Sequence, residues 1–508
     1  ADAPVNLGSR CTVFMNSSVK QAQKDGASIE NIAAGLSVSV VKNALYKVIR
    51  CADAQKLGKH IVVQGGTFYN DCVLRAFEME TGREVIRPKF AGLMGAYGAA
   101  LYAASHAGTG VLGREDLEHF ERKLKRTVCQ GCQNHCDLTV NLFSGGRRFL
   151  AGNRCSRPVR TEASKAPRNL YADKLSLLEK YRRDEPDNGK LTIGIPMGLN
   201  FYDLLPFWYA FFHALGFRVL VSPNSTRELY ALGQHTIASD TACYPAKLLH
   251  GHIEWLLSQN PDAIFYPDMS YNVDEHLGDD HFNCPVVAYY PQVLKLNVPG
   301  LHDTKFISDF VGLHDKKQFQ KRIREILAQY FAPFSKQQIA KASDAAYAEY
   351  EAYRSAVQQK AQDYMAAARQ EHRPVVVLCG RPYHVDPEVS HGIDKLLCDL
   401  GAAVVTEDSL SPLVKKFRAG VRNQWTYHAR MYAAAKYVAG SPDDLHVVQL
   451  VSFGCGVDAV TTDEVREILE SAGKDYTQLK IDEITNMGAA SIRLRSLFAM
   501  LDEKRRPQ

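Results

Sequence analysis

Short apolar segments alternate with amphipathic helical patterns along most of this chain. In the first region the apolar segment HIVVQGG lies between two helical patterns, and the later regions 190–300 and 374–508 repeat the same strand–helix order. Alternation of this kind is typical of parallel sheets whose faces are covered by helices. The sequence therefore predicts an α/β protein with two open, parallel-sheet lobes in its later part.

Two segments interrupt this alternation. Residues 315–371 are almost entirely helix-forming and are broken at Pro333, which predicts two helices inserted between the lobes. Residues 105–126 are charged and predict a connector. In the first lobe the last of four predicted strands is PVVAYY, residues 285–290. The predicted domains are residues 1–108, 127–160, 190–300, 315–371 and 374–508.

Charge and hydropathy exclude several classes of protein. The 508 residues include 61 basic and 56 acidic side chains with no long block of one sign, so the charge pattern requires neither nucleic acid nor an anionic membrane. No run approaches the ~18 apolar residues of a membrane-spanning helix, and the first residues lack a signal-peptide pattern. We therefore expect a cytoplasmic protein with no nucleic-acid partner and no membrane partner.

The strings CQGCQNHC and GNRC form the strongest local signal for chemistry. They place Cys129, Cys132, Cys136 and Cys155 within 27 residues. Four thiolates within reach of one another fit either a tetrahedral zinc ion or an iron–sulfur cubane, and the spacing does not choose between them. The segment between the two strings predicts a β-hairpin that would carry the last cysteine back beside the first three. Four cysteines without a ligand are the structural alternative.

Three further cysteines stand where ligands are expected. Cys243 opens a predicted helix with Pro245 in its first turn, where helix amides would favour a thiolate. Cys284 begins a predicted strand after a polar loop. Cys455 follows a strand and lies between two glycines, at the carboxyl edge where open α/β sheets bind ligands. Spacing alone does not define a shared site, and burial as small apolar side chains is the alternative for each.

Other candidates depend on their position in the predicted elements. Gly65 and Gly66 end a strand and open a helix, a geometry that suits a nucleotide or serves the backbone conformation alone. His384 lies just past a strand end, where it contacts substrate or a cluster, or belongs to a turn. Lys247 lies one turn after Cys243 and faces either an anion or solvent. The remaining cysteines are predicted to lie in the core: Cys51, Cys72, Cys379 and Cys398.

Four strings occur in order over the first part of the chain: RCTVFMNS, IAAGLSVSVVKNALYKV, VVQGGTFYNDCVLRAFE and GLMGAYGAALYA. They resemble the C-terminal half of the ATP-dependent activators of 2-hydroxyacyl-CoA dehydratases and benzoyl-CoA reductases, the BadF/BadG type of the actin-like ATPase superfamily. The resemblance implies that Gly65, Gly66 and Asn70 lie on the adenosine side of an ATP site. It also implies that Cys11 is one of two cysteines that each subunit gives to a 4Fe-4S cluster bridging a dimer, and hence a homo-oligomer.

Residues 127–508 carry the strings TACYPAKLLHGH, GRPYHVDPEVSHG and SFGCGVDAVTTDEV. They resemble the domain that follows the activator repeats in large CoA-substrate-specific enzyme activases, itself similar to the dehydratase D component, with flavodoxin- or Rossmann-like lobes. The resemblance implies that Cys243, Cys284 and Cys455 share a 4Fe-4S cluster, one of whose irons is open to substrate or water. His384 and Lys247 are weaker catalytic candidates beside it.

The sequence departs from the superfamily in one respect. The phosphate-binding half, with its Asp-x-Gly-x-Thr loop, is absent from this sequence, and so is the second bridging cysteine. Binding of ATP and Mg²⁺ would therefore need residues that precede Ala1, or a separate activator chain. The first residue, Ala rather than Met, agrees with a processed chain or a piece of a longer one.

Together these features predict an oxygen-sensitive iron–sulfur enzyme component of the activase and dehydratase system. It would pass or use low-potential electrons at a 4Fe-4S or double-cubane-type cluster, for dehydration of an acyl-CoA or reduction of another small molecule. A ferredoxin or flavodoxin would donate the electrons. The alternative is a non-catalytic assembly or adaptor component that holds zinc at Cys129–Cys155.

Overall fold

The chain forms two compact units, Ala1–Phe120 and Glu121–Gln508. In the part of the chain that is described, no helix combines the length and the apolar character needed to cross a membrane. The computed structural model describes residues 1–8, 12–49, 57–105, 114–129, 137–143, 148–152, 167–182, 189–239, 241–452, 454–481, 483 and 487–505.

The first unit contains a two-stranded parallel sheet, in which Ile61 lies opposite Val85. Helices pack against this sheet around a small core that includes Val41 and Phe77. A π-helical segment, Asn43–Ile49, continues the second helix. The elements are α1 (Thr12–Lys24), α2 (Ile29–Lys42), β1 (Ile61–Val62), α3 (Asp71–Thr81), β2 (Val85–Ile86), α4 (Met94–Ser105) and α5 (Arg114–Glu118).

The second unit begins with a three-stranded antiparallel sheet: β3 (Arg122–Val128), β4 (Asp137–Phe143) and β5 (Arg148–Ala151). Its strands β4 and β5 pair antiparallel, as the predicted hairpin requires. The predicted connector 105–126 is wrong at its end, because the basic string KLKRT lies in β3. Every residue of β3 is exposed, so the strand carries no alternation of apolar and polar residues that would have revealed it.

The first lobe has a four-stranded parallel sheet in the order β7-β6-β8-β9. The predicted strand 285–290 is wrong, because these residues begin a helix that is capped by Cys284 and has Pro285 in its first turn. A short apolar run does not distinguish a strand from a buried helix, whereas proline at the first helical position favours the helix. The elements are β6 (Thr192–Ile195), α7 (Phe201–Ala214), β7 (Arg218–Val221), α8 (Arg227–Gly233), α9 (Tyr244–Ser258), β8 (Ala263–Phe265), α10 (Pro285–Asn297) and β9 (Phe306–Ile307).

The second lobe has the parallel order β11-β10-β12-β13, with Val377 opposite both Val405 and Val447. All five residues of β10 are buried, as expected for a central parallel strand covered on both faces. The elements are β10 (Val375–Cys379), α13 (Pro387–Ser390), α14 (Ile393–Asp399), β11 (Ala403–Thr406), α15 (Glu407–Leu410), α16 (Thr426–Gly440), β12 (Leu445–Val451), α17 (Gly456–Glu470), β13 (Tyr476–Lys480) and α18 (Gly488–Arg505).

Helices join the two lobes into one body. The predicted pair in 315–371 is present as α11 (Lys316–Tyr330) and α12 (Lys336–Gln370), and α12 packs on both α7 and α15. A further helix, α6 (Leu170–Glu179), was not predicted and packs on β11. One continuous apolar core runs through both lobes and these helices, so residues from the two lobes are held in a common framework.

Candidate functional site

Three helices of the second unit begin at cysteines. Cys243 caps α9, Cys284 caps α10 and Cys455 caps α17. Proline in the first turn suits α9 and α10, since that position needs no amide donor. Each side chain therefore stands beside amides that the helix itself leaves unpaired. At Cys284 the amide of Val287 donates to the sulfur over 3.4 Å.

Contacts join these three elements in pairs. On α9 and α10, His250 Nε2 lies 3.0 Å from the hydroxyl of Tyr290. The loop before α17 approaches the loop before α9, because a Cβ placed on Gly454 would lie 3.9 Å from the carbonyl oxygen of Thr241. Two of the predicted cysteines come from the first lobe and one from the second, and Cys284 and Cys455 are both near enough to Cys243 for their charge to raise its pKa.

Burial and neighbouring charges control the ionisation of Cys243 and Cys284. Burial raises the pKa of Cys243 to about 12, and negative charge on Cys284 and Cys455 adds to this rise. Burial also raises the pKa of Cys284, opposed by the Val287 amide and by Arg381. The expectation that helix amides favour a thiolate at Cys243 is therefore wrong for the free side chain, because desolvation outweighs them. At neutral pH both thiols are protonated unless a bound cation displaces the proton.

Arg381 supplies positive charge to this site. Its guanidinium is buried in an ion pair with Asp458, and its charge lowers the pKa of both Cys243 and Cys284. The Nε atom of Arg381 is buried and has no hydrogen-bond partner among the described residues. Asp458 also accepts the amide of Ser452 over 2.8 Å, which fixes the loop that leads to the third cysteine. Three helix N-termini and a buried guanidinium together suit an anionic ligand.

The two weaker catalytic candidates have defined surroundings. His384 is buried, and its Nδ1 accepts the backbone amide of Arg381 over 2.9 Å. Burial holds the pKa of His384 well below its usual value, and the charge of Arg381 acts in the same direction. His384 is therefore a neutral residue that positions Arg381. Lys247 is also buried, with its Nζ 3.9 Å from a carboxylate oxygen of Glu483.

The predicted adenosine-side residues belong to one turn of the first unit. Gly65 has φ +101°, a conformation that favours glycine, and its amide donates to the carbonyl of Ala91 over 2.8 Å. Gly66 opens a short 3₁₀ helix. The side chain of Asn70 caps α3 by accepting the amide of Cys72 over 2.9 Å. These contacts account for the conformation of the turn without a bound nucleotide.

The remaining cysteines divide into three groups. Cys129, at the end of the first antiparallel strand, is half-buried. Cys379 and Cys398 are buried, as predicted, whereas Cys72 is exposed and its predicted core position is wrong. Cys72 is the second residue of α3, and the buried face of this helix is formed instead by Val73, Ala76, Phe77 and Thr81. Four predicted residues lie outside the described residues: Cys11, Cys132, Cys136 and Cys155, together with the predicted core residue Cys51.

Among the described residues, no three His, Cys, Asp or Glu side chains are arranged to hold one metal ion. The structure does reveal a buried carboxylate that the sequence did not single out. Glu407 stands at the carboxyl end of β11 and accepts the amide of Gly380 over 3.1 Å. Burial raises the pKa of Glu407, and the charge of Asp408 beside it adds to the rise. In sequence, TEDSL is typical of an ordinary, exposed helix start, so it does not indicate that Glu407 is buried.

Comparison with known proteins identifies two segments. Residues 1–103 match the BadF/BadG/BcrA/BcrD ATPase family, and residues 192–410 match the CoA enzyme activase uncharacterised domain. These matches confirm the resemblance to the activators. A curated relative, the 2-hydroxyisocaproyl-CoA dehydratase activator of Clostridioides difficile, is 38% identical over 103 residues, which are 20% of this chain. The chain thus spans 37% of the length of that relative.

Two solved structures are also similar over parts of the chain. The activator of the 2-hydroxyisocaproyl-CoA dehydratase from Clostridium difficile with bound ADPNP is 32% identical, covers 22% of this chain and 43% of its own, and has a TM-score of 0.19. The C-terminal domain of glucosamine-fructose-6-phosphate aminotransferase from Francisella tularensis is 10% identical, with coverage of 65% and 91% and a TM-score of 0.16. Scores this low establish no shared fold.

Proposed function

Because the chain joins a segment of the BadF/BadG/BcrA/BcrD ATPase family to a CoA enzyme activase domain, we propose that it is an iron–sulfur component of the activase and dehydratase system. Cys243, Cys284 and Cys455 would hold a 4Fe-4S cluster, alone or as part of a double cubane. The observation that carries this proposal is a set of three cysteine-capped helices whose thiols lie near enough to one another, and to the buried Arg381, for their charges to act on Cys243.

The donor set fits such a cluster. Thiolates are the usual protein ligands of iron–sulfur clusters, and three thiolates of one cubane bind three different irons. The cysteines therefore need not lie within reach of a single ion, unlike the ligands of a zinc site. When bound, the cluster would supply low-potential electrons to a substrate at the iron that has no cysteine ligand.

The chain's own residues would tune this site. The charge of Arg381 and the three helix N-termini offset negative charge on the thiolates, which favours uptake of an electron. Asp458 holds the arginine and the loop before Cys455, while His384 fixes the backbone of Arg381. Since burial raises the thiol pKa, loading of the site would release protons.

The first unit would contribute to an ATP-dependent step. Residues 1–103 would supply the adenosine side of a nucleotide site through Gly65, Gly66 and Asn70, with Mg²⁺ and phosphate contacts from the rest of an ATPase fold. Exposed apolar side chains at the start of α4 support a contact surface for the rest of the ATPase, because Leu93, just before the helix, and Tyr97 and Leu101 on it are each more than half exposed. The rest of the ATPase, on the same polypeptide or on a separate activator chain, would pack there.

The electrons would pass to a dehydratase or another reductase acting on an acyl-CoA or a different small molecule. Nucleotide binding can drive this transfer only by favouring one arrangement of the components over another. A ferredoxin or flavodoxin would reload the site. The cluster between Cys129 and Cys155, and the bridging cluster at Cys11, remain predictions from the sequence.

Anaerobic reconstitution of the full chain with iron and sulfide tests the proposal. The wild-type chain should take up iron and sulfide and acquire the visible absorbance of iron–sulfur proteins. Cys455→Ser should lose the iron of one cluster, whereas Cys72→Ser, on an exposed side chain, should lose none. Full iron content in Cys455→Ser would disprove the three-cysteine site. A colourless anaerobic sample with stoichiometric zinc would instead support the adaptor alternative.

A further inference from the structure

The antiparallel sheet at the start of the second unit carries an excess of positive charge. Its three strands hold a single acidic residue, Asp137. The basic residues on the same strands are Arg122, Lys123, Lys125, Arg126 and Arg148. The whole chain, in contrast, has a net charge of only +5 over 508 residues. Positive charge is therefore concentrated on this sheet, and most of it lies on β3.

The cations of β3 are open to a partner. Every residue of the strand is exposed. Arg122 donates from its Nε to the side-chain oxygen of Asn141 over 2.8 Å, so the sheet itself positions this arginine. Lys123, Lys125 and Arg126 form no ion pair with any described side chain. Exposed cations without an internal carboxylate are available to the anionic groups of another molecule.

An apolar row crosses one face of the same sheet. Leu124 lies opposite Asn141, which lies opposite Phe149, so the three side chains share that face. Leu124 is 59% exposed and Phe149 is 60% exposed. Arg122 and Arg126 lie two residues to either side of Leu124 and therefore on the same face. The opposite face holds the buried apolar side chains of the sheet: Leu138, Val140 and Leu150.

Protection of a sheet edge explains only part of this pattern. Among the described strands, β3 pairs with β4 alone and is an edge strand. Charged side chains on an edge strand prevent pairing with other sheets, which would account for the cations. It would not account for Leu124 and Phe149, because exposed apolar side chains favour association. Apolar and aromatic residues bordered by arginine are typical of a contact surface between proteins.

The dimensions of the sheet favour a transient partner. Strands of this length extend about 24 Å, and three of them are about 14 Å wide, so the face measures on the order of 300 Å². A stable complex buries about 800 Å² on each partner, whereas electron-transfer complexes are smaller and depend on opposite charges for rapid association. A nucleic acid would contact the cations but would leave Leu124 without an apolar contact.

We propose that β3 and the exposed face of its sheet form the docking surface for a small acidic electron-carrier protein. The carrier approaches along the free edge of β3, where its acidic side chains contact Lys123, Lys125 and Arg126. Its apolar residues contact Leu124 and Phe149. The acidic character of the partner follows from the charge of the sheet, whereas its identification as an electron carrier rests on the proposed function.

Binding of a carrier to the full chain is measured by calorimetry under anaerobic conditions. The probes are a bacterial ferredoxin and a flavodoxin, each with a negative net charge, and a basic cytochrome c is the control probe. At least one acidic probe should bind at submillimolar concentration in about 10 mM NaCl and at least roughly tenfold more weakly in about 300 mM NaCl. The cytochrome should not bind.

The contacts are tested by reversal of two charges in Lys125→Glu/Arg126→Glu. Both side chains are exposed, so the variant should fold and should bind the acidic probe at least roughly tenfold more weakly. Leu124→Ser should weaken binding at both salt concentrations, because its contact is apolar. The matched control is Lys321→Glu/Lys341→Glu, which makes the same change of charge on exposed residues of the helical insert and should bind like wild type. Circular dichroism checks the fold of each variant.

Several results would overturn the docking surface. They are absence of binding by both acidic probes at low salt, equal binding by Lys125→Glu/Arg126→Glu and its control, and equally tight binding of a DNA duplex or of phosphatidylserine vesicles. Iron content, measured on the same samples, reports separately on the proposed cluster. A chain that holds iron but binds neither probe would reject the docking surface alone. A chain that binds a probe but takes up no iron would support the surface and reject the cluster.

Discussion

Replacement of Arg381 by methionine should destabilise the second unit strongly. Both members of the Arg381–Asp458 pair are about 4% exposed, so the variant leaves a buried carboxylate without its cation. Removal of one partner from a buried pair costs about 3–5 kcal/mol of the free energy of unfolding. The same change on the surface pair Arg369–Asp443, where the arginine is 67% exposed, should cost less than about 1 kcal/mol.

The pH dependence of this loss follows from the carboxylate. Burial alone would raise the pKa of Asp458, but Arg381 holds it well below its usual value in the wild type. The wild-type pair therefore stabilises the fold above the ordinary pKa of 3.8, and this contribution is lost only as the pH falls toward the lowered native pKa. In the variant, burial would raise the pKa of Asp458, opposed by His428, 3.7 Å away, and by the Ser452 amide. A proton taken up on folding by Asp458 or by His428 would restore stability between pH 7 and pH 5.

Urea unfolding of both proteins at pH 7 and pH 5, under anaerobic and metal-free conditions, measures the effect. The difference in free energy of unfolding should be smaller at pH 5. The double variant Arg381→Met/Asp458→Asn should recover most of the loss, since no buried charge remains. A loss below about 1 kcal/mol at pH 7, or a loss that does not change with pH, would refute the assignment of a buried, charged pair.

Two other predictions follow from the titration of buried groups. Because burial raises the pKa of Glu407, its ionisation disfavours folding as the pH rises from the ordinary 4.5 to the raised native value. The free energy of unfolding of Glu407→Gln should therefore rise relative to that of wild type between pH 5 and pH 8, by at most about 1.4 kcal/mol per pH unit. A difference from wild type that is the same at pH 5 and at pH 8 would contradict this. With its pKa raised to about 12, the metal-free Cys243 thiol should react with iodoacetamide at pH 8 far more slowly than the exposed Cys72, as peptide mass spectrometry would show.

The sequence was sufficient for the architecture because hydrophobic periodicity reports directly on burial. It predicted both parallel sheets and the two helices of 315–371. It failed at 285–290, where a short apolar run fits both a strand and a buried helix. It also failed at 122–128, where a fully exposed strand carries no periodic signal. In both places the order of apolar and polar residues does not distinguish a strand from another type of backbone structure.

The candidate site was harder to predict because its parts are distant in sequence. Cys243, Cys284 and Cys455 are separated by 41 and 171 residues, and only the fold brings their helix starts together. The role of Arg381 was not visible, because its ion pair with Asp458 depends on two elements of the second lobe.

A site whose residues come from two lobes requires that the lobes keep a fixed relative position. A buried network of ion pairs provides that constraint. Arg430, on α16 of the second lobe, lies 2.8 Å from Asp203 on α7 of the first and 2.7 Å from Glu275. Arg430 is about 1% exposed, so separation of the lobes would leave Arg430 and Asp203 without an ion-pair partner, whereas Glu275 would keep its pair with Arg354 at 3.0 Å. Cys455 is thereby held at a fixed distance from Cys243. A cluster bound here would therefore keep its geometry, and in the proposed system a nucleotide would act on the approach of another component rather than on the opening of these lobes.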